Sequence, residues 1–308
     1  MKIIANTTDF YLDTDTAVAI GKFDGVHIGH RRLLEEILLQ KSQGLAVCVF
    51  TFDPAPAVLF GLSDGKELTT KEEKRHLFEQ MGVDILIEFP LTPETAGISP
   101  EQFVSEVLVK RMRTRFIAAG EDLSFGCRGA GNAQMLKQLG SELGFDVKII
   151  NKITVQNREV SSTYVRDVVE RGELVIAEAM LGIPYMIMGK VSHGKRIGRT
   201  IGFPTVNLIP DSNKLLPPNG VYYSQVCWQG KQYRAISNVG YKPTVTEEKT
   251  VGVESFLYDF EDEIYDENIV VSLLEFRRPE QQFSSLEALQ EQLKEDIAAG
   301  KIFVKKGL

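Results

Sequence analysis

The 308-residue sequence has few cysteines and no long apolar run. Its three cysteines, Cys48, Cys127 and Cys227, are far apart and odd in number, which excludes a disulfide framework and a zinc-ligand pattern. A reducing compartment suits them, so we expect a cytoplasmic protein. No apolar segment reaches the roughly 18–20 residues that a membrane span requires, and the N-terminus has no apolar leader region. We therefore expect neither a transporter nor a membrane partner.

Positive charge is also scarce. The chain carries 35 Lys and Arg against 42 Asp and Glu, for a net charge of -7. Phosphate backbones require a basic face, so we expect no nucleic acid as a partner. A nucleotide substrate needs only local positive charge and stays compatible with this balance. The length predicts two domains rather than one core.

Apolar runs alternate with helical patterns in the first half of the chain. Short apolar strands separated by helices are typical of βαβ units on a parallel sheet. Two helix starts carry capping-box spacing, Thr70 with Glu73 and Ser99 with Gln102. Ligands of such sheets bind beyond the carboxyl ends of the strands. The predicted strands are residues 17–20, 45–52, 85–89, 116–119 and 147–150.

A glycine-rich turn at residues 20–30 follows the first of these runs and precedes a helical pattern. This arrangement brings backbone N–H groups and a helix N-terminus to a phosphate. His27 and His30 are three residues apart and can reach the same anion. The turn lacks the H-E-x-x-H pattern of zinc proteases and the G-K-[ST] of a P-loop. It predicts a site that binds nucleotide phosphates and stabilises charge during transfer.

The residues Gly21, Phe23, Asp24, Gly25, His27, Gly29 and His30 resemble the first motif of the bacterial bifunctional riboflavin kinase/FAD synthetase family. The shorter H-x-G-H pattern is also similar to the wider nucleotidyltransferase superfamily, including class I aminoacyl-tRNA synthetases. The family resemblance implies a Rossmann-like nucleotidyltransferase domain that makes FAD from FMN and ATP. It implies catalytic roles for His27 and His30. ATP and phosphate binding is implied for Gly21, Phe23, Asp24 and Gly25.

Further segments of the N-terminal half match the same family. Asp53 and Asp122 follow predicted strands, and the resemblance implies that they bind flavin; alone, each is equally typical of a turn. Ser161, Ser162 and Arg166 open a helix and match the S-S-T-x-x-R segment, which implies ATP or phosphate binding. One position departs from the family, because Ala55 stands where histidine is usual.

The pattern changes near residue 186, where strands follow one another without helices. This indicates an antiparallel barrel or sandwich. A last helix is predicted to start after Ser285 and to end at Gly300. We therefore predict an α/β domain at residues 1–183 and an all-β domain with a terminal helix at residues 184–308. The predicted β segments include residues 203–208, 221–228, 232–238, 251–260 and 268–276.

A second candidate site lies in the β-rich half. Residues 189–199 form a basic, glycine-rich loop, which could cover ATP phosphates through Gly189, Lys190, His193, Gly194, Lys195 and Arg199. Thr205 and Asn207 offer hard oxygen ligands suited to Mg²⁺ shared with ATP. The resemblance places a riboflavin kinase module here. It implies that Glu254 is the catalytic base and that Arg278 belongs to the flavin-binding segment. Phe256 departs from the family, where histidine is common.

The leading interpretation is a two-domain enzyme that uses riboflavin, FMN and ATP, with flavins as substrate and product and Mg²⁺ beside ATP. A second interpretation keeps one activity and makes the other domain a flavin-binding module, as the departures at Ala55 and Phe256 allow. A third is an aminoacyl-tRNA synthetase-like protein, although no second motif of that class is present. The sequence leaves the oligomeric state open.

Overall fold

The fold was analysed in a computed structural model, which describes residues 1–61, 65–193, 202–242 and 250–305. The chain divides into two compact units, Met1–Ser162 and Thr163–Leu308. The division falls at residue 162, so the two helices between residues 162 and 181 go with the second unit. The predicted boundary at residue 184 places the same helices in the first domain.

The first unit is built on a six-stranded sheet in which every pairing is parallel. Its strands are β1 (Lys2–Ala5), β2 (Thr16–Ile20), β3 (Ala46–Asp53), β4 (Ile85–Pro90), β5 (Thr114–Gly120) and β8 (Asp146–Ile150). Their order across the sheet is β1-β4-β3-β2-β5-β8. The predicted parallel sheet is confirmed, and β1 is an additional edge strand. Its four residues are half-buried or exposed, and its apolar part, Ile3 to Ala5, is short.

Helices cover this sheet and supply its core. Thr70 caps one helix through its hydroxyl, which accepts from Glu73 N at 3.3 Å, while Glu73 Oε2 accepts from Thr70 N at 2.9 Å. The predicted capping box is thus present.

Phe103–Arg111 is wound as a π-helix, a rare form in proteins. The α-helices are α1 (Ile28–Leu39), α2 (Pro56–Leu59), α3 (Lys71–Gln80), α4 (Pro100–Gln102) and α5 (Ala133–Leu143). Two short hairpins complete the unit, β6 (Ser124–Phe125) with β7 (Gly131–Asn132) and β9 (Thr154–Val155) with β10 (Arg158–Glu159).

The second unit is a closed six-stranded barrel whose pairings are all antiparallel. Two helices precede the barrel, and the second of them packs against its first and last strands. These elements are α6 (Ser162–Glu170), α7 (Leu174–Leu181), β11 (Tyr185–Ser192), β12 (Val206–Leu208), β13 (Gly220–Trp228), β14 (Lys231–Lys242), β15 (Thr250–Leu257), β16 (Asn268–Pro279) and α8 (Leu286–Ile302). The strands follow the order β11-β12-β15-β14-β13-β16 around the barrel. The predicted antiparallel barrel with a terminal helix is confirmed.

The predicted end of the terminal helix at Gly300 is wrong. Helix α8 continues through Gly300 to Ile302. A Cβ at position 300 would lie 2.1 Å from the hydroxyl oxygen of Tyr258. The glycine therefore permits close packing against Tyr258 rather than ending the helix. Arg234 caps the C-terminal end of the helix: its guanidinium donates to the backbone oxygens of Gly300 and Lys301 at 2.8 and 2.9 Å.

Candidate active sites

The glycine-rich turn leaves β2 in an unusual backbone conformation. Phe23 has a φ of 52° and Gly25 a φ of 83°, both in the left-handed region. The Phe23 side chain is fully buried and packs against the rings of Phe78 at 5.4 Å and His30 at 5.0 Å. A Cβ at Gly21 would lie only 3.2 Å from that ring. The side chain of Phe23 therefore anchors the turn in the core, and only its backbone can contact ATP.

His27 and His30 stack against each other at the start of α1. Their ring centroids lie 3.7 Å apart with an interplanar angle of 16°. His27 is the N-cap, and its Nδ1 accepts from the backbone N–H of His30 at 3.3 Å. A Cβ at Gly29 would lie 3.1 Å from the His27 ring, so the glycine between them permits this stack. Because Nδ1 accepts, Nε2 carries the proton of neutral His27 and can donate to a ligand.

Burial keeps both histidines uncharged. It lowers the pKa of His27 from 6.5 to about 4, although the nearby charge of Asp122 acts in the opposite direction. Burial, reinforced by His27, also holds the pKa of His30 well below its usual range. His30 Nδ1 is enclosed and has no hydrogen-bond partner among the described residues. The pair therefore carries no positive charge, and Nε2–H of His27 is a hydrogen-bond donor.

Asp24, Gly25 and Ser162 come together beside the histidines. Asp24 Oδ1 accepts from Leu68 N at 2.8 Å and from Thr69 N at 3.4 Å. The backbone oxygen of Asp24 accepts from Ser162 Oγ at 2.8 Å. Ser162, the last residue of the first unit, is thereby tied to the turn. These contacts fix the turn within the protein, so Asp24 supports the predicted phosphate site as well as bordering it.

Asp53 and Asp122 lie at or beyond the carboxyl ends of β3 and β5, as the sequence predicts. Asp53 forms an ion pair with Lys71, whose Nζ also lies 3.4 Å from Glu88 Oε2. Glu88 is buried and held by Arg75 at 2.7 Å. Asp122 is exposed, and its charge acts on the pKa of His27. Asp53 is thus part of an ion network, and Asp122 is open to solvent.

Ser161 directly precedes α6, and Arg166 lies within it. Both are half-buried. The division between the two units falls at Ser162, so Ser161 belongs to the first unit and Arg166 to the second. Their predicted role in ATP binding stays a prediction.

In the barrel, Glu254 lies between two asparagines. It is the direct cross-strand partner of Asn207 on β12 and of Asn238 on β14. Directly opposite residues of antiparallel strands share a face of the sheet. Glu254 is exposed, whereas Asn207 is 9% exposed and its Oδ1 has no hydrogen-bond partner among the described residues. A buried, unpaired carbonyl oxygen suits a hard cation such as Mg²⁺.

The other predicted residues of this site lie on or next to strands β11 and β12. Thr205 is half-buried and directly precedes β12. Gly189 and Lys190 lie near the end of β11, where they pair with Ile269 and Asn268 of β16. His193 is exposed; its ring stacks on Tyr265 at 4.3 Å, and its Nε2 lies 3.6 Å from Asp266 Oδ2. The remaining predicted loop residues, Gly194, Lys195 and Arg199, lie outside the described residues.

Arg278 serves the packing of the terminal helix. Its guanidinium donates to both carboxylate oxygens of Asp296 on α8, at 2.6 and 3.1 Å, and Arg277 also donates to Asp296 at 2.7 Å. Burial acts to raise the pKa of Asp296, but the hydrogen bonds from Arg278 and Arg277 outweigh it and hold the pKa below its usual range. Any contact of Arg278 with flavin would come in addition to this tether.

Sequence reasoning missed two residues of these sites. Asn238 donates from Nδ2 to Glu280 Oε1 at 3.2 Å, and the carboxylate of Glu280 lies where a Cβ of Gly240 would be. Thr69 Oγ1 accepts from the buried N–H of Gly25 at 2.9 Å. Asn238 is recognisable only from strand register, and Thr69 only from a contact 44 residues away along the chain. Neither has a local sequence signal.

Two family models match the chain, FAD synthetase over residues 11–164 and riboflavin kinase over residues 181–304. The bifunctional riboflavin kinase/FMN adenylyltransferase of Listeria monocytogenes is 34% identical over 97% of this chain and 96% of its own. The protein of that name from Escherichia coli K12 is 35% identical over 93% and 92%. These matches favour an enzyme with two activities over a single-activity enzyme and over an aminoacyl-tRNA synthetase-like protein.

A solved structure also matches. The crystal structure of a protein described as a macrolide-efflux protein from Streptococcus pneumoniae covers 98% of this chain and 99% of its own. Its TM-score is 0.85, and the two sequences are 28% identical. In the part of this chain that the structure describes, no helix is long and apolar enough to cross a membrane.

Proposed function

This chain belongs to the bifunctional riboflavin kinase/FMN adenylyltransferase family, and we propose that the two sites described above divide its two reactions. The chain phosphorylates riboflavin to FMN with ATP, and it adenylylates FMN with ATP to give FAD and pyrophosphate. The observation that carries the assignment is the presence of two separate polar sites, one in each unit. The stacked histidines lie within the FAD synthetase match, and Glu254 lies within the riboflavin kinase match.

At the N-terminal site, a phosphate oxygen of FMN attacks the α-phosphorus of ATP, and the bond to the leaving pyrophosphate breaks. No proton transfer is required. His27 donates from Nε2, and backbone N–H groups of the turn donate beside it, so the negative charge of the transition state is stabilised by preorganised dipoles. Gly21, Gly25, Ser161 and Ser162 are assigned to ATP or phosphate, and Asp53 and Asp122 to the flavin side.

At the barrel site, Glu254 takes the proton of the ribityl 5′-hydroxyl as its oxygen attacks the γ-phosphorus and ADP leaves. Asn207 and Thr205 would hold Mg²⁺ together with ATP phosphates, and the cation would supply positive charge to the transferring group. The buried Oδ1 of Asn207, for which the described part of the chain supplies no hydrogen-bond partner, supports this assignment. The basic residues of the 189–199 segment and Arg278 complete the proposed ATP and flavin contacts.

Two further assignments belong to this proposal. We place the start of the kinase domain at residue 184, with the adenylyltransferase domain at residues 1–183. We also place the protein in the cytoplasm, which the free state of Cys48, Cys127 and Cys227 supports. Cys48 is buried, and burial raises the pKa of its thiol, which keeps that thiol unreactive.

A Mg²⁺ titration of each half-reaction tests the metal assignment. Asn207→Ala removes the unpaired oxygen, so FMN formation should need a higher Mg²⁺ concentration for its half-maximal rate. The Mg²⁺ dependence of FAD formation from added FMN should not change. Asn213→Ala, at an exposed position before the barrel strand β13, is the matched control. If the Mg²⁺ dependence of FMN formation were unchanged in Asn207→Ala, Asn207 would not bind the metal.

A further inference from the structure

Residues 68–71 connect two strand ends of the first unit, and we call this segment the brace. On one side, the backbone N–H groups of Leu68 and Thr69 donate to Asp24 Oδ1, and Thr69 Oγ1 accepts from Gly25 N. The brace thus makes three hydrogen bonds with two consecutive residues of the glycine-rich turn. All three join positions about 44 residues apart in the chain.

At its other end, the brace contacts Asp53, the last residue of strand β3. Thr70 is the N-cap of α3, and Lys71 is its first residue. Lys71 forms an ion pair with Asp53 at the end of β3, and its Nζ lies 3.4 Å from Oε2 of the buried Glu88 within β4. Strands β2 and β3 are neighbours in the sheet. The brace therefore links the turn that follows β2 to the carboxyl end of β3.

The burial of the brace argues against direct contact with a substrate. Leu68 is fully buried, and Thr69 and Thr70 are 5% and 6% exposed. The Thr69 hydroxyl oxygen already accepts from Gly25, and Asp24 Oδ1 faces two backbone N–H groups. These groups contact protein backbone. A role in the reaction would therefore act through the turn that they hold.

The turn needs support of this kind. Left-handed backbone conformations at non-glycine residues such as Phe23 are strained and persist where surrounding contacts hold them. Gly25 lies two residues before His27, so a displacement of Gly25 would move the N-cap of α1 and with it the stacked histidines. Misplacement by about 1 Å can cost about 10²-fold in rate.

We propose that Thr69 and Asp24 are positioning residues for adenylyl transfer, which hold the glycine-rich turn so that His27 and backbone N–H groups meet the α-phosphate. This inference rests on the proposed assignment of FAD formation to the first unit. Asp24 acts in it as a hydrogen-bond acceptor, and its negative charge is not required. The charge is the property that separates this role from contact with a cation.

Substitutions at Thr69 test the inference in the full-length chain. Thr69→Val keeps the shape but leaves the buried N–H of Gly25 unpaired, so kcat for FAD formation from added FMN should fall about 10- to 100-fold. Thr69→Ser keeps the acceptor and should stay within about twofold of the parent. Hydrogen exchange at the Gly25 amide should accelerate in Thr69→Val alone. FMN formation, measured on the same preparations, should stay at the parental rate.

Substitutions at Asp24 separate positioning from charge. Asp24→Asn keeps an oxygen acceptor and should retain most FAD formation, whereas Asp24→Ala should lose it. An Asn variant as inactive as the Ala variant would overturn the proposal, and so would a Thr69→Val variant at the parental rate. If Thr69→Val fails to fold, the Asp24 pair decides. A parent chain that forms no FAD would instead refute the proposed function.

Discussion

The two units present opposite solutions to the handling of ATP. The first unit buries two histidines in a stack and keeps them neutral, so its site offers preorganised donors. The barrel exposes the carboxylate of Glu254 and buries the amide oxygen of Asn207 beside it, which has no hydrogen-bond partner among the described residues. The proposed roles of the two sites account for the difference. Adenylyl transfer to a phosphate needs no base, whereas phosphorylation of a hydroxyl must remove a proton.

The largest effect is expected at Glu254. Glu254→Gln keeps the shape of the side chain but removes its basicity, and general-base assistance is typically worth about 10²–10⁴ in rate. FMN formation should fall by that factor, with riboflavin binding largely retained and FAD formation from added FMN unchanged. Steady-state kinetics of each half-reaction measure both. Glu275→Gln, on the strand opposite β15 in the barrel order, is the matched control and should change neither rate. A parental kinase rate in Glu254→Gln would exclude it as the base.

The histidine stack gives the next largest effect. His27→Ala or His30→Ala should lower FAD formation by about 10²–10³, because each removes a preorganised group from the phosphate site. Riboflavin phosphorylation should stay near the parental rate. His76→Ala, at a half-buried histidine on α3 in the same unit, serves as the control. Equal loss of both activities in a folded variant would contradict the separation of the sites.

The neutral histidines also predict a pH dependence of stability. The pKa of His27 is about 4 in the folded chain against 6.5 ordinarily, so the unfolded chain binds the proton more readily. His27 should thus stabilise the fold fully above pH 6.5, and this contribution should be lost as the pH falls toward 4. Between pH 7 and pH 5 the free energy of unfolding should drop by about 2 kcal/mol from His27.

Denaturant unfolding of the full-length chain, followed at both pH values, measures this loss. His27→Gln cannot be protonated, so its unfolding free energy should depend less on pH over the same range. An equal pH dependence in parent and variant would show that His27 is not held neutral by the fold.

The smallest effect is expected at Ala55. If a histidine there assists adenylyl transfer, Ala55→His should raise FAD formation several-fold and leave FMN formation unchanged. Ala55 is half-buried just after Asp53, so the new ring would enter the edge that carries the ion pair between Asp53 and Lys71. Initial rates over a range of ATP concentrations measure the change. An unchanged rate would show that position 55 does not take part in the reaction.

Local patterns in the sequence predicted the sheet, the barrel and the Thr70 cap, because hydrophobic runs and capping residues are local signals. They did not predict edge strand β1, whose residues are only half-buried or exposed. They also did not predict that α8 continues past Gly300, where the glycine packs against Tyr258. The proximity of His27 and His30 followed from their spacing. Their neutrality did not, because it depends on burial by distant elements. For the same reason Thr69, Asn238 and the tether from Arg278 to Asp296 required the structure.

A complementation assay tests the central claim, that each unit carries one reaction, most directly. Full-length His30→Ala and Glu254→Gln proteins are incubated with riboflavin, ATP and Mg²⁺, separately and as a mixture, and the flavins are separated and quantified. His30→Ala alone should stop at FMN, and Glu254→Gln alone should leave riboflavin largely unconverted. The mixture should form FAD, because FMN released by one protein is adenylylated by the other. A mixture that forms no FAD, while Glu254→Gln alone still converts added FMN, would contradict two independent sites joined by free FMN.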